Sequence, residues 1–517
     1  MIDLIANKII ADRIPKNQRS FPNNNEKCTP GFSLVDGRRK EDYNPSTLLR
    51  SRMKGRVFMR LHFRKPGLSS LSLLYDEFQL PKVIRRSLNL ILLANLFGNL
   101  HGIICGGGTT AMVGLANELH AGDLAFGFLN GIPQAAAILQ IPFSILVNRT
   151  HQRKKYMLTL GLFSRAVWIL FGLIPLIVPT NPAWLPLWTL IFLLGLSACC
   201  GSVINVCWLP WFSDLAPARL RGRWFSFRDM LVAGANLAFG LLVAWMLDTL
   251  PVNIRYVIIF ALGGVLGMLD MICFGFCTER YSDPPRKMST GAILKEIRKR
   301  RPFCRLIVMW TAWCFTSNLA GPYLSRYSIN DMGLSFTQMT VFGTAASAIA
   351  TILVVSRWGK AMNKYGCRSV MLVSTLVTAV TDAFYLFSVP GSIWPVLLRN
   401  FFGAACWCGC NLAANSMQLS TSPDESRPSY IAVFACITCL VGIALGTLCG
   451  GALLEFWENA GWFTGGLDRL QALVILGVLL RLLVSVLLVP PLENDRDGTP
   501  RQMVTDLFHR LRPIRRS

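Results

Sequence analysis

Between residues 86 and 490 the chain carries twelve apolar runs, most of them about 20 residues or longer, and a helix of that length crosses a hydrocarbon core of about 30 Å. That core offers no water to backbone polar groups, so runs of this kind must be helical. They lie at 86–114, 124–147, 156–178, 184–212, 227–247, 254–277, 306–328, 337–356, 369–389, 392–420, 430–454 and 470–490. The chain is therefore read as an all-α polytopic membrane protein. Its 52% hydrophobic residues and mean hydropathy of +0.44 exclude an ordinary soluble enzyme.

The charge follows the runs. Lys and Arg outnumber Asp and Glu by 52 to 28, a formal +24. With both termini on one side, 46 of the 52 cations fall on that side. Counting a cation in the end turn of a span with the adjoining loop, only Arg255, Arg326 and Arg469 fall opposite, and Arg165, Arg399 and Arg481 lie deeper inside spans. The positive-inside rule then places both termini in the cytoplasm of a cell membrane, plasma or bacterial inner. Excess cations on that face attract anionic lipids, and their placement argues against nucleic acid as a partner. The expected plan is a basic, disordered arm at 1–84, a six-helix bundle at 85–278, a basic central loop at 279–305, a second bundle at 306–490 and a basic tail at 491–517. No cleavable signal segment is expected in the polar arm. Leu48 to Arg64 and Met503 to Arg512 read either as disordered basic chain or as basic helices on the inner leaflet. Nearly all sixteen Cys fall inside spans, and Cys406, Cys408 and Cys410 lack metal-ligand spacing, so no cofactor or metal is expected.

The two halves repeat. An Asn and a basic cluster follow the second span, from Asn148, and the eighth, from Gly359. At an offset of 206, Pro217 meets Pro423, Arg221 meets Arg427, Trp224 meets Tyr430, Asn205 meets Asn411 and Gly240 meets Gly446. Parallel repeats of this kind pack around a central site near the bilayer midplane.

At these loops the chain resembles the major facilitator superfamily. Gly359, Asn363, Lys364, Tyr365, Gly366, Arg368 and Leu372 follow the family signature GxxxDRxGRRxxL with Asn for Asp, and Asn148, Arg149, Arg153, Lys154 and Leu158 follow it loosely. The phrase from Trp208 to Asp229 is similar to that of a poorly characterised bacterial subgroup. The resemblance spans roughly residues 85 to 490. It implies two six-helix repeats, a path lined by the first, fourth, seventh and tenth helices, and a loop-to-helix lock at Asn148, Arg149, Asn363, Lys364 and Arg368. Arg221 and Arg427, at the repeated ends of the fourth and tenth spans, join that candidate lock.

Polar groups inside spans mark the chemistry, because a charge at mid-span costs roughly 2.5–3.5 kcal/mol unless it meets a partner or a cavity. Arg399 and Asp382 lie at comparable depth and could pair; removing Asp382 alone should then destabilise, and removing both charges should restore stability. Arg399 could instead meet the solute. Arg165 could snorkel to headgroups or serve coupling. His101, by its unperturbed pKa, is the natural titrating group. Asn95 and Asn99 share one face of the first span, Asn205 and Trp208 end the fourth, and Trp407, Asn411 and Asn415 line the tenth. The seventh adds Trp313 and Asn318. Aromatics with amides suit a neutral or zwitterionic small-molecule solute. Gly442, Gly446 and Gly450, and Asn236, Gly240 and Ala244, form stripes along which helices can approach closely and slide.

Nucleotide-binding GxxxxGK[ST] and metalloprotease HExxH motifs are absent. A secondary transporter working by alternating access, with a possible coupling proton or cation, is the reading favoured over an enzyme. A non-transporting receptor and a lipid-modifying membrane enzyme are the alternatives.

Overall fold

The computed structural model describes residues 75–76, 80–179, 181–182, 184–279, 290–423, 427–463, 468–493, 502–503 and 505, and among these every regular element is helical. Twelve long helices follow one another: α1 (Lys82–Ile104), α2 (123–150), α3 (Arg153–Ile177), α4 (Leu185–Leu215), α5 (Ala218–Thr249), α6 (Val252–Gly275), α7 (Arg301–Asn330), α8 (Phe336–Tyr365), α9 (Cys367–Phe387), α10 (Trp394–Thr421), α11 (427–459) and α12 (Arg469–Leu488). Short helices at Thr110–Glu118 and Thr290–Lys299 flank them. By length and composition ten of the twelve can cross a membrane; α7 and α10, which carry most of the aromatic and amide candidates, are not among the ten.

Local chemistry sets the helix ends. Pro81, Pro217 and Pro251 precede α1, α5 and α6, where a missing N–H costs nothing. Reciprocal Ser335/Gln338 and Asp468/Gln471 capping boxes start α8 and α12. Three expectations need correction. The first span ends at Ile104, not 114, because Gly106, Gly107 and Gly108 leave the helix. A Cβ on Gly107 would stand 1.8 Å from the Leu129 carbonyl oxygen, so the chain can pass α2 this closely only without a side chain. α5 begins at Ala218, nine residues before its apolar run, which puts Arg228 ten residues into the helix rather than in its first turn. The arm is anchored before residue 84: Tyr75 is buried against the first bundle, which pushes its phenol up to about 12, and Arg85 pairs with Asp76. Leu48–Arg64 lies outside the described residues, as does most of Met503–Arg512; Met503 is buried in the second bundle.

Apolar side chains gather into three cores. One contains residues of both halves, among them Phe126, Leu129, Phe260, Leu319, Tyr323 and Trp457. The other two are separate. Leu88, Met157, Trp211 and Trp224 belong to the first half, and Phe303, Trp313, Cys410 and Tyr430 to the second. The shared core lies at the end of the molecule away from the chain termini, here the distal end; the separate cores lie toward the terminal face.

Cross-half packing follows the same division. Residues 123–139 of α2 pack on 438–459 of α11, and α5 packs on 336–345 of α8. At the boundaries the three helices leave α geometry, in a 3-10 turn at Ala136–Leu139 and π turns at Thr340–Ala345 and Thr438–Ala444. Beyond them Gln140–Thr150, Ala346–Tyr365 and Arg427–Ile437 pack chiefly on their own halves.

The glycine stripes differ in role. Gly240 meets Thr340 of the other half, whereas Gly442, Gly446 and Gly450 lie against α7 of their own. A Cβ on Gly446 would stand 2.7 Å from the Phe315 carbonyl oxygen. Gly446→Leu should therefore lower stability by about 1–3 kcal/mol through forced separation of α7 and α11. Gly321→Leu, where a Cβ meets nothing within 4 Å, should leave it nearly unchanged. Thermal unfolding in detergent compares the two, and equal stability would show that α7 and α11 tolerate bulk.

Candidate functional site

Asn95 and Asn99 share one stripe of α1, half-buried at Asn95 and exposed at Asn99. Asn95 and Asn99 each donate their amide N–H to the carbonyl four residues back, at 2.8 and 2.7 Å, which leaves the Oδ1 acceptors for other partners. Among the described residues Asn205, Asn411 and Asn415 have no hydrogen-bond partner, and Asn205 and Asn415 are exposed. An amide facing lipid with no partner is costly. Asn318 is half-buried and donates to the Cys314 carbonyl oxygen at 2.8 Å. Trp313 is fully buried and stacks on Trp407 at 6.2 Å, with Trp310 beside them. In this conformation Trp313 lies inside the core of the second half.

Trp208 has a neighbour that the sequence reading assigned to a loop. The Arg228 guanidinium lies over Trp208 at 5.7 Å and over Phe225 at 4.7 Å, and donates to Asn95 Oδ1 at 3.4 Å and to Asp229 Oδ1 at 2.6 Å. Its placement in the fourth-to-fifth loop hid it, although stacking aromatics three residues before it and at the end of α4 were visible.

Each half also holds charges in its own interior. Asp382 on α9 receives Arg399 Nε at 3.0 Å from α10 and also Arg481 of α12, and Arg481 is buried. The pair expected between Arg399 and Asp382 is thus one side of a triad with two cations and one carboxylate. In the first half, Arg165 of α3 donates to Asp270 of α6 at 3.2 Å instead of snorkelling. A Cβ on Gly98 would stand 2.8 Å from Asp270 Oδ2, so α1 makes room for this carboxylate. His101 is buried beside them and its Nδ1–H donates to the Gly263 carbonyl oxygen at 2.8 Å. Asp270 was missed although it is an acid inside an apolar run, the same signal that identified Asp382.

The loop cations hold helices within a half. Arg153, buried over Trp211 at 5.3 Å, donates to Asp214 at 2.8 Å, joining α3 to α4. Lys154 reaches the Cys277 carbonyl oxygen just after α6, and Arg368 reaches that of Pro490 just after α12. Lys364 lies over the Tyr365 ring, Arg149 and Asn363 are exposed, and the Asn148 side chain lies outside the described residues. Arg221 donates to the carbonyls of Ala216 and Ser213, and Arg427 to Ser422 Oγ and the Leu419 carbonyl oxygen, so both close the C-terminal ends of the preceding helices.

The distal end is closed by contacts that the sequence did not reveal. Arg326 of α7 pairs with Asp123 of α2 at 2.5 Å, the Leu124 N–H donates to Glu455, Asn117 donates to Asn330 at 2.8 Å, and Asp248 accepts from the Phe336 and Thr337 N–H groups. Beside this seal, burial and the neighbouring Asp468 raise the Asp331 carboxyl above the ordinary range.

The Major Facilitator Superfamily profile matches residues 98–358. The chain belongs to the major facilitator superfamily. No curated protein matches it. Among solved structures, the nucleoside transporter NupG is similar with a TM-score of 0.59 at 13% identity, over 78% of this chain and 99% of that one. A D-xylose–proton symporter gives 0.57 at 14%, over 81% and 100%. A bacterial homologue of the human lysosomal transporter Spinster, inward-facing and unoccupied, gives 0.55 at 15%, over 82% and 97%. At these identities the likeness is one of fold. With the family, it makes the protein a multi-pass membrane transporter.

The triad changes the expected outcome of substitution. Asp382→Asn removes the carboxylate from two guanidiniums and should cost about 3–5 kcal/mol. Adding Arg399→Gln leaves Arg481 buried and unpaired, so the double variant should recover only part of the loss, and further addition of Arg481→Gln most of the remainder. Thermal unfolding of the three proteins tests this; wild-type stability in the double variant would mean that Arg481 does not depend on Asp382.

Proposed function

We propose that the protein is a secondary transporter that carries a small solute by alternating access, along a path between the two six-helix groups. The observation that carries this reading is the division of the cores: one shared at the distal end, and one in each half toward the terminal face. A path open at one end and shut at the other is one state of such a cycle, and unpartnered amides on facing walls supply hydrogen bonds for cargo. The cation distribution supports reading the terminal face as cytoplasmic, and this conformation is then the inward-facing state. Relatives in fold described as a nucleoside transporter and a D-xylose–proton symporter support a small polar solute and a coupling proton. Asp270, beside Arg165 and His101, is the carboxylate we assign to coupling. The triad around Asp382 and the loop cations are assigned to holding each bundle together while the bundles rock.

If the distal seal must open in each cycle, tying it shut stops transport. Asn117 and Asn330 meet across it. The variant Asn117→Cys with Asn330→Cys should lose most solute flux in proteoliposomes on oxidation and regain it on reduction, while either single variant keeps flux in both conditions. Unaltered flux in the oxidised, demonstrably cross-linked double variant would contradict alternating access through this seal. Lipid turnover without solute flux in the same vesicles would favour an enzyme.

A further inference from the structure

Arg228 stands at the edge of the proposed path and is held from three helices. It lies ten residues into α5, about 15 Å along the axis at 1.5 Å per residue. Eleven residues make three turns, so Asp229 shares a face with Gly240, the residue that meets Thr340 of the other half. At Gly240 that face is covered by α8. At Asp229, nearer the terminal face, the side chain is 63% exposed. Arg228 points about 100° around from it, toward Trp208 and Asn95, and its own side chain is only 19% exposed.

The surroundings fix the guanidinium, and among the described residues its one carboxylate partner is the mostly exposed Asp229. Phe225 and Trp208 take its faces, and Asn95 Oδ1 accepts from it at 3.4 Å, a long bond. Its Nε and one terminal nitrogen donate to a single oxygen of Asp229, at 2.9 and 2.6 Å. A planar fork presented beside aromatic rings matches a carboxylate or phosphate, which can accept two parallel N–H bonds. Asp229, adjacent in sequence and mostly in solvent, is a counter-ion that an incoming anion can displace. The Oδ1 of Asn99 on the same α1 stripe, and the free amide of Asn205 on α4, can accept from hydroxyl or amino groups of the same solute.

We propose that Arg228 is the anion-recognition group of the transport path, and that the solute is a small organic anion whose carboxylate or phosphate replaces Asp229 on the guanidinium. The proposal rests on the transport reading and adds the chemical class of the cargo. It also gives Asp229 a role opposite to that of an ordinary salt-bridge partner, since Asp229 competes with the solute.

The test uses the purified full-length protein and matched probes: lactate, succinate, glycerol 3-phosphate and inorganic phosphate against lactamide, succinamide and glycerol. Binding is read from ligand-induced thermal stabilisation, and flux in proteoliposomes of neutral lipid, which keeps lipid phosphates of net negative charge out of competition. At least one anion should bind and its neutral counterpart should not. Arg228→Lys should weaken that binding about tenfold, because an ammonium cannot reproduce the fork. Arg228→Gln should abolish it, with unliganded stability close to wild type. Asp229→Asn should strengthen it several-fold, a gain that a structural salt bridge would not give. Failure of every anion to bind, anion binding unchanged in Arg228→Gln, or loss of binding in Asp229→Asn overturns the proposal. Flux of a neutral probe that survives Arg228→Gln overturns it while leaving the transport reading in place; absence of flux for every probe, bound or not, counts against both.

Discussion

The contact between α2 and α11 at the distal end is the constraint on which the remaining architecture depends. A Cβ on Gly451 would stand 2.6 Å from the Asp123 carbonyl oxygen, so the two helices meet at a distance that only a bare backbone permits. Without a hydrophobic drive between helices in lipid, such close packing is what holds spans together. The Arg326–Asp123 pair closes over it, and the shared apolar core fills in beneath. Because this one region joins the halves extensively, each half needs its own means of remaining intact where the other is absent. The two separate cores, the Asp382 triad and the Arg165–Asp270 pair supply that on the two sides.

Duplication explains why those means come in pairs, and divergence explains how they differ. Arg221 and Arg427 still perform the same task on the ends of α4 and α10, and Lys154 and Arg368 still tie α3 and α9 to the chain leaving α6 and α12. In the bundle interiors the polarity is reversed: the third helix brings the cation in the first half, and its counterpart α9 brings the anion in the second. The second half carries one cation more than its carboxylate can neutralise. The first half instead places its additional arginine, Arg228, at the edge of the proposed path. The π turns of α8 and α11 and the 3-10 turn of α2 fall where each helix passes from cross-half contact to contact within its own half. Geometry of this kind concentrates bending at a few residues and leaves the bundles rigid.

Much of this was legible in the sequence because a membrane makes hydrophobicity and charge nearly decisive. The twelve spans, their order and the repeat follow from apolar length and from matched residues such as Arg221 and Arg427. The stripe of Asn95 and Asn99 follows from helical period alone. The misplaced boundaries have a common physical cause. α5 and α7 extend beyond their apolar runs as polar helical turns, which hydropathy assigns to loops, and Arg228, at the edge of its run, was counted with the loop. The Arg326–Asp123 seal joins residues 203 apart at helix ends, where a charge calls for no partner and gives no signal in sequence. Arg481, the third member of the Asp382 triad, was visible only as an arginine inside a span, since pairing between α9 and α12 depends on how the bundle closes.

The central claim is that the distal seal and the terminal-face opening are opposite ends of one rocking motion. Distances between spin labels measure it most directly, with one pair at Arg149 and Lys360 on the terminal face and another at His120 and Asp468 on the distal end, in the full-length protein in lipid nanodiscs. The account predicts two populations at each pair, with conditions that shorten the terminal distance lengthening the distal one in proportion. A single fixed distance at both pairs, or changes in the same direction at the two ends, would contradict it.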